Sequence, residues 1–222
     1  MKLTIDDKPI TASPGTTLLE AARANGIAIP TLCYHEALEP YAACRLCVVE
    51  LSTPRGLKLV AACAQPCEEG VVVHTHSPRV QASRRVTAEL LMGSSGHLPL
   101  VREVARAMGV ERTRSTLPPD DCILCGLCVR ACDELVGVHA ISLAQRGLKK
   151  HVAAPFEIAS AACIGCATCV LICPTGAIKL ADITPPPHSA HDARTCRLCG
   201  EQSLGAEFAD AEALLSEEVQ PL

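Results

Sequence analysis

Two runs decide how this chain folds: Asp121-Cys-Ile-Leu-Cys-Gly-Leu-Cys-Val-Arg-Ala-Cys-Asp133 and Ala162-Cys-Ile-Gly-Cys-Ala-Thr-Cys-Val-Leu-Ile-Cys-Pro174. Each spaces its cysteines as C-x2-C-x2-C-x3-C, through Cys122, Cys125, Cys128 and Cys132 and again through Cys163, Cys166, Cys169 and Cys173. Such spacing suits cubane [4Fe–4S] clusters: three thiolates on a tight loop wrap three corners, and the fourth, beginning a helix, reaches across to the other cluster. The predicted sets are Cys122, Cys125, Cys128 and Cys173 for one cluster, and Cys132, Cys163, Cys166 and Cys169 for the second. Gly126, Gly165 and Ala167 are small enough to let backbone N–H groups approach cluster sulfides, and Pro174 stops the second run extending as helix. Zinc knuckles also use C-x2-C, but tetrahedral zinc gives no reason for the same four-cysteine run to occur twice.

Composition agrees with a metal-stapled chain. The 222 residues include 15 cysteines but only two Phe, two Tyr and no Trp, so Ala, Val, Leu and Cys must fill a thin core that clusters would reinforce. A secreted disulfide scaffold would also be rich in cysteine, yet Met1 opens into K-L-T-I-D-D-K with no apolar export segment. A reducing cytoplasm is the expected compartment. The formal net charge of −4 offers no basic face to a phosphate backbone, and pairs such as Arg84-Arg85 and Lys149-Lys150 read as solvated surface. Nucleic-acid binding is therefore not expected. Neither is a membrane span, because the apolar run 158–173 is too short and is rich in Cys, Gly, Ala and Ser.

Upstream of the cysteine runs, Leu3 to Ile5 and Ile10 to Thr11 flank the turn chemistry of Asp6-Asp-Lys-Pro9 and predict a hairpin. A helix follows, capped by Thr16 or Thr17, with Leu18, Leu19, Ala22 and Ile27 as its apolar face and Asn25-Gly26 closing it. Strands are expected at Val48 to Leu51, Lys58 to Ala61 and Val71 to His74, which makes residues 1–77 a small β-grasp domain. Residues 78–117 form a helical spacer. Pro78 to Leu91, with Val80, Val86, Leu90 and Leu91 at helical spacing, ends at Gly93-Ser-Ser-Gly96, and Pro99 to Met108 is capped by Gly109. Residues 118–181 hold the two cysteine runs, with short strands expected at Ala140 to Leu143, Phe156 to Ile158 and Ala177 to Leu180. The fold class is α+β.

Residues 1–77 carry Cys33, Cys44, Cys47, Cys63 and Cys67 in the signature P-T-L-C-Y-H-E-A-L-E-P-Y-A-A-C-R-L-C-V-V-E followed by A-A-C. Two thiolates three positions apart, joined by one before and one after, are a common way to hold a [2Fe–2S] rhomb. The signature resembles the N-terminal ferredoxin domain shared by several redox families. These are the large iron–sulfur subunit of NADH:quinone oxidoreductase, the diaphorase small subunit of NAD-linked hydrogenases, iron-only hydrogenases and NAD-dependent formate dehydrogenases. The resemblance continues through both cysteine runs, which are similar to those of bacterial two-cluster ferredoxins. It implies Cys33, Cys44, Cys47 and Cys63 as [2Fe–2S] ligands. Cys67 falls where the family usually has an apolar residue and reads as a small buried hydrophobe, with replacement of Cys63 as ligand the alternative. Many relatives hold another cubane with one histidine and three cysteines in the spacer. Here His97 stands near that position with no cysteine between Cys67 and Cys122, so that cluster is not expected. His35, His74, His76 and His139 read as surface or loop histidines.

Residues 182–222 begin with a stiff Pro185-Pro-Pro187 spacer, followed by His188, His191, Cys196 and Cys199 and an acidic tail. Two thiolates and two imidazoles suit tetrahedral zinc, and completion of a site with a partner chain is the alternative. Phe208, Ala211, Leu215 and Val219 approximate one face of a tail helix. No G-x-G-x-x-G or Walker loop is present, and the chain stops soon after its second cubane run. The expected role is therefore electron conduction between a flavin- and NAD(P)-binding subunit and a catalytic oxidoreductase subunit, with no catalytic residue in this chain. A stand-alone polyferredoxin carrier is the alternative. An iron–sulfur redox sensor would need a DNA-binding or regulatory module that the sequence does not contain.

Overall fold

A computed structural model describes residues 1–54, 56–154 and 162–183. These fall into two units, one of residues 1–127 with 174–177, the other of residues 128–173 with those from 178 onward.

The first unit opens with strands β1 (Lys2–Ile5) and β2 (Lys8–Thr11), paired antiparallel with Leu3 opposite Ile10 and Ile5 opposite Lys8. Asp6 and Asp7, both left-handed at φ 46° and 64°, make the two-residue turn whose twist matches the flanking strands. The turn is anchored from afar, since Asp6 Oδ1 accepts the Thr75 N–H at 2.7 Å and Oδ2 meets the Thr75 hydroxyl. Helix α1 (Leu18–Ala24) starts with a reciprocal cap: the Thr17 hydroxyl accepts the Glu20 N–H and the Glu20 carboxylate accepts the Thr17 N–H. Asn25 and a left-handed Gly26 end it.

Strands β3 (Val48–Thr53), β4 (Gly56–Ala61) and β5 (Val72–His74) complete a five-stranded sheet in the order β2-β1-β5-β3-β4. β5 lies parallel to β1 and antiparallel to β3, the arrangement a β-grasp requires. Ile5, Leu18, Leu19, Val49 and Val73 form its fully buried centre.

Helix α2 (Pro78–Ser95) begins under a Ser77 cap, runs one turn past the predicted Leu91, and ends at Gly96, the last residue of the breaker run expected to close it. Tertiary contacts hold the added turn. The segment returning toward Cys122 bonds to this last turn, through Leu117 N–H to Gly93 O, Asp120 N–H to Ser94 O, and the Ser95 hydroxyl to Asp120 O. A side chain at Gly93 would press on Ser115 at 3.2 Å, so glycine here makes room for a passing strand of chain. The buried stripe also differs from the predicted one: Val80, Arg84 and Ala88 face inward, while Val86 and Leu90 are 53% and 56% exposed. Arg84, expected on the surface, is only 4% exposed. Helix α3 (Pro99–Ala107) packs on α2 through Ala88, Ala105 and Val110, and Gly109 closes it with the paired Gly109 and Val110 N–H bonds of a Schellman cap.

The second unit contains most of helix α4 (Leu127–Arg130), which widens into a π-helical turn over Ala131–Val136 and ends at left-handed Gly137. Strands β6 (Ser142–Ala144) and β7 (His151–Ala153) pair antiparallel, with Leu143 opposite Val152. Thus β6 sits slightly later than predicted and its partner is β7, while the predicted strand at 156–158 lies outside the described residues. Helix α5 (Thr168–Leu171) follows the second cysteine loop. The strand predicted over Ala177 to Leu180 does not form. Helix α6 (Leu180–Ile183) begins there instead, because Asp182 reaches back to accept the Lys179 N–H at 2.8 Å, an N-terminal helix cap. Among the described residues no helix is long and apolar enough to cross a membrane.

Candidate cluster sites

In the first unit, Cys33 lies beyond α1, Cys44 and Cys47 on the loop entering β3, and Cys63 just after β4. Left-handed Ala42 and Arg45, both at φ 57°, fold the central loop so that the Cys44 N–H points to Cys33 Sγ at 3.3 Å. Cys47 Sγ stands 3.4 Å from Cys63 Sγ. Hydrogen bonding from the Cys33 thiol pulls Cys44 down to about 5, and the same interaction holds Cys33 up. Cys63 likewise brings Cys47 down to about 7 while its own thiol is raised. Four buried or half-buried thiols are thus gathered, with backbone N–H groups among them, and this donor set fits a [2Fe–2S] rhomb.

Cys67 packs in the same hydrophobic core as Cys47 and Cys63, its N–H bonded to Thr16 O, and burial and Glu20 raise its thiol.

The two later loops share one backbone design. The second and fourth residues after the leading cysteine are left-handed in both: Leu124 (φ 54°) and Gly126 (φ 74°) in one, Gly165 (φ 68°) and Ala167 (φ 56°) in the other. Leucine and alanine are strained there, and such strain persists only where surroundings enforce it. The turn at Leu124 brings its N–H to Cys122 Sγ at 3.4 Å, and Asp120 accepts the Cys122 N–H.

Within the second unit one apolar cavity is lined by Cys132, Cys163, Cys166 and Cys169 and walled by Val136, Ile141 and Ile164. The Ala140 N–H approaches Cys132 Sγ at 3.2 Å and the Thr168 hydroxyl approaches Cys166 Sγ at 3.3 Å. Burial raises the Cys132 thiol, and burial together with the neighbouring thiolates of Cys166, Cys132 and Cys163 pushes Cys169 up to about 11. Thiols crowded this way resist ionising alone, and iron would relieve their mutual repulsion. The fourth cysteine of the first run therefore lines the same cavity as three of the second. Of the other predicted set, Cys122 and Cys125 belong to the first unit and Cys128 and Cys173 to the second.

The candidate zinc ligands His188, His191, Cys196 and Cys199, and the tail helix, lie outside the described residues. His97 pairs with Asp121 at 2.7 Å and His139 with Asp133 at 2.6 Å. His76 contacts the Thr75 hydroxyl. Sequence reasoning missed Leu124 and Ala167 as left-handed residues, since neither is glycine, and missed buried Arg84, whose only signal is its four-residue spacing from Val80 and Ala88.

Comparison with known proteins matches the two cysteine-bearing regions separately. Residues 1–78 match the 2Fe-2S iron-sulfur cluster binding domain family, and residues 121–177 match the 4Fe-4S dicluster domain family. The chain thus carries one match to each of two iron–sulfur domain families. It is 32% identical over 205 residues to a subunit of the NADH-quinone oxidoreductase of Rhizobium meliloti, a match covering 80% of this chain and 24% of that protein. Against the NADP-reducing hydrogenase subunit HndD of Solidesulfovibrio fructosivorans it is 34% identical over 211 residues, covering 80% of this chain and 36% of that one. The chain therefore spans only about a quarter to a third of the length of these curated relatives. A chain of the NAD+-reducing [NiFe]-hydrogenase in its H2-reduced state superposes with a TM-score of 0.62 at 28% identity, over 93% of this chain and 88% of that one.

Proposed function

We propose that this iron–sulfur protein is the electron-conducting subunit of a cytoplasmic, NAD(P)-linked multisubunit oxidoreductase. It would stand between a flavin- and NAD(P)-binding subunit and a catalytic subunit such as a hydrogenase or formate dehydrogenase. In this reading Cys33, Cys44, Cys47 and Cys63 hold one [2Fe–2S] cluster. Cys122, Cys125, Cys128 and Cys173 hold one [4Fe–4S] cluster, and Cys132, Cys163, Cys166 and Cys169 a second, for about ten iron atoms per chain. The clusters, when bound, accept and release single electrons, and the chain's residues position them, shield them from water and set their potentials. Zinc in the tail, on His188, His191, Cys196 and Cys199, completes the proposed inventory.

The observation that carries this reading is the gathering of Cys33, Cys44, Cys47 and Cys63 at one place and Cys132, Cys163, Cys166 and Cys169 at another. Likeness to a chain of an NAD+-reducing hydrogenase across most of its length favours a subunit over a diffusible carrier. Anaerobic purification at native abundance tests this. A conducting subunit coelutes with a flavoprotein and, once freed of it, reduces no dye from NADH, because hydride transfer needs a two-electron acceptor. Elution alone with its clusters intact would identify a carrier instead.

A further inference from the structure

Arg84 is the one arginine of α2 turned into the protein, and it is 4% exposed. α2 packs against β3, and Arg84 Nη2 donates to the Val48 carbonyl at 2.8 Å, the residue directly after Cys47. Part of the guanidinium is uncompensated: buried Nε has no hydrogen-bond partner and, among the described residues, Arg84 forms no ion pair. Asp6, the acid that acts on Arg84, is engaged with Thr75 and His76, and Glu50 of β3 pairs with Arg79 at 2.9 Å. Desolvation lowers the Arg84 pKa, and the negative groups acting against that are Cys47 first and Asp6 second. Even so, a guanidinium stays protonated in a protein. A fixed positive charge is thus held out of water beside the cysteine loop, although burying it unpaired is costly. Such a cost is reasonable where the charge meets a partner of opposite sign.

We propose that Arg84 is a positioning residue for the [2Fe–2S] site: its buried charge raises that cluster's reduction potential, and its bond to Val48 ties the spacer helix to the cluster loop. The inference rests on the reading of Cys33, Cys44, Cys47 and Cys63 as [2Fe–2S] ligands. A cluster held by four thiolates is anionic and gains one further negative charge on reduction, so a nearby positive charge favours the reduced form. Arg84 reaches that site from α2, outside the β-grasp sheet, so repositioning α2 would change the potential without altering any ligand.

The test is an EPR-monitored redox titration of the full-length chain carrying its clusters. Relative to wild type, Arg84→Gln, which keeps a donor for the Val48 carbonyl but no charge, lowers the reduced-to-oxidised ratio of the [2Fe–2S] signal roughly tenfold at a fixed potential. For a one-electron couple that is a midpoint about 59 mV lower. Arg84→Lys keeps most of the wild-type value, and Arg85→Gln, removing an exposed charge one residue along, leaves the midpoint unmoved because water screens it. If Arg84→Gln loses the cluster, the comparison of Arg84→Lys with wild type still decides, since a reduced-to-oxidised ratio changed tenfold or more, a midpoint shift of about 59 mV, despite the retained charge overturns the proposal. An intact signal with an unchanged midpoint in Arg84→Gln overturns it as well. Absence of any [2Fe–2S] signal from wild type would overturn the cluster reading itself, a different result from a signal that is present and unmoved.

Discussion

The ring of Tyr41 closes over Gly126: a methyl group on Gly126 would lie 3.3 Å from Tyr41 Cε1 and 3.6 Å from Cδ1. Tyr41 is three residues before Cys44 and Gly126 immediately follows Cys125, so the loop of the proposed [2Fe–2S] cluster touches the loop of a proposed cubane through one aromatic ring. The ring is 44% exposed, and a side chain at residue 126 would push it aside by a few tenths of an ångström.

Gly126→Ala should therefore destabilise the chain. Part of the cost is the left-handed backbone at φ 74°, about 1 kcal/mol for alanine, a strain the protein already carries at the equivalent Ala167. The rest comes from displacing Tyr41. Denaturant unfolding of the single and double variants separates the two, and in a Tyr41→Ala background the Gly126→Ala cost should shrink by roughly 0.5–1 kcal/mol. Equal costs in both backgrounds would show that the ring contact contributes nothing.

Cys132→Ser should damage the cluster of the second run. The cavity that Cys132 shares with Cys163, Cys166 and Cys169 predicts that the EPR signal lost matches the one lost in Cys166→Ser. A loss matching Cys125→Ser instead would mean that each run ligates its own cluster.

Asp6 links the β1–β2 turn to β5 and gives a pH signature. Burial raises its carboxyl, but hydrogen bonds from the Thr75 side chain and backbone, together with His76, outweigh this and hold it below the usual carboxylate range. A depressed folded-state pKa contributes stability that is complete above the unfolded value, near 3.8, and is lost as pH falls through the lower folded one. Asp6→Asn keeps an acceptor for the Thr75 N–H and tolerates the left-handed φ of 46°, so it preserves the turn while removing the titration. Wild type should lose its advantage over Asp6→Asn below about pH 4. A stability difference independent of pH down to the acid limit would refute the linkage.

What the sequence made legible was set by local chemistry. Thr17 and Glu20 cap α1 wherever α1 packs, Asp6-Asp7 turn because their side chains tolerate positive φ, and the cysteine spacing needs no neighbour to be read. What stayed hidden depended on distant partners. The last turn of α2 survives Gly93 and Ser94 because residues 117 and 120 bond to it, and Arg84 is buried because β3 offers the Val48 carbonyl. Leu124 and Ala167 are left-handed because loop closure around the cysteines demands it, a constraint that backbone propensity alone does not carry.

The tail supplies the last prediction, from sequence alone. His188, His191, Cys196 and Cys199 follow the Pro185-Pro-Pro187 spacer, and a segment this short has little core of its own, so a bound metal there would serve folding and subunit contact rather than electron flow. Zinc fits because it has no redox chemistry and gives a small segment most of its folding energy. Cys196→Ala combined with Cys199→Ala should remove about one zinc per chain and weaken association with the proposed partner subunits, while leaving the iron content and the signals of the three proposed clusters unchanged. Metal analysis of the purified complex alongside EPR reads both. Iron lost in place of zinc, or a shifted reduction profile in an otherwise intact complex, would mean that the tail holds a redox centre, because a structural zinc has no electrons to exchange.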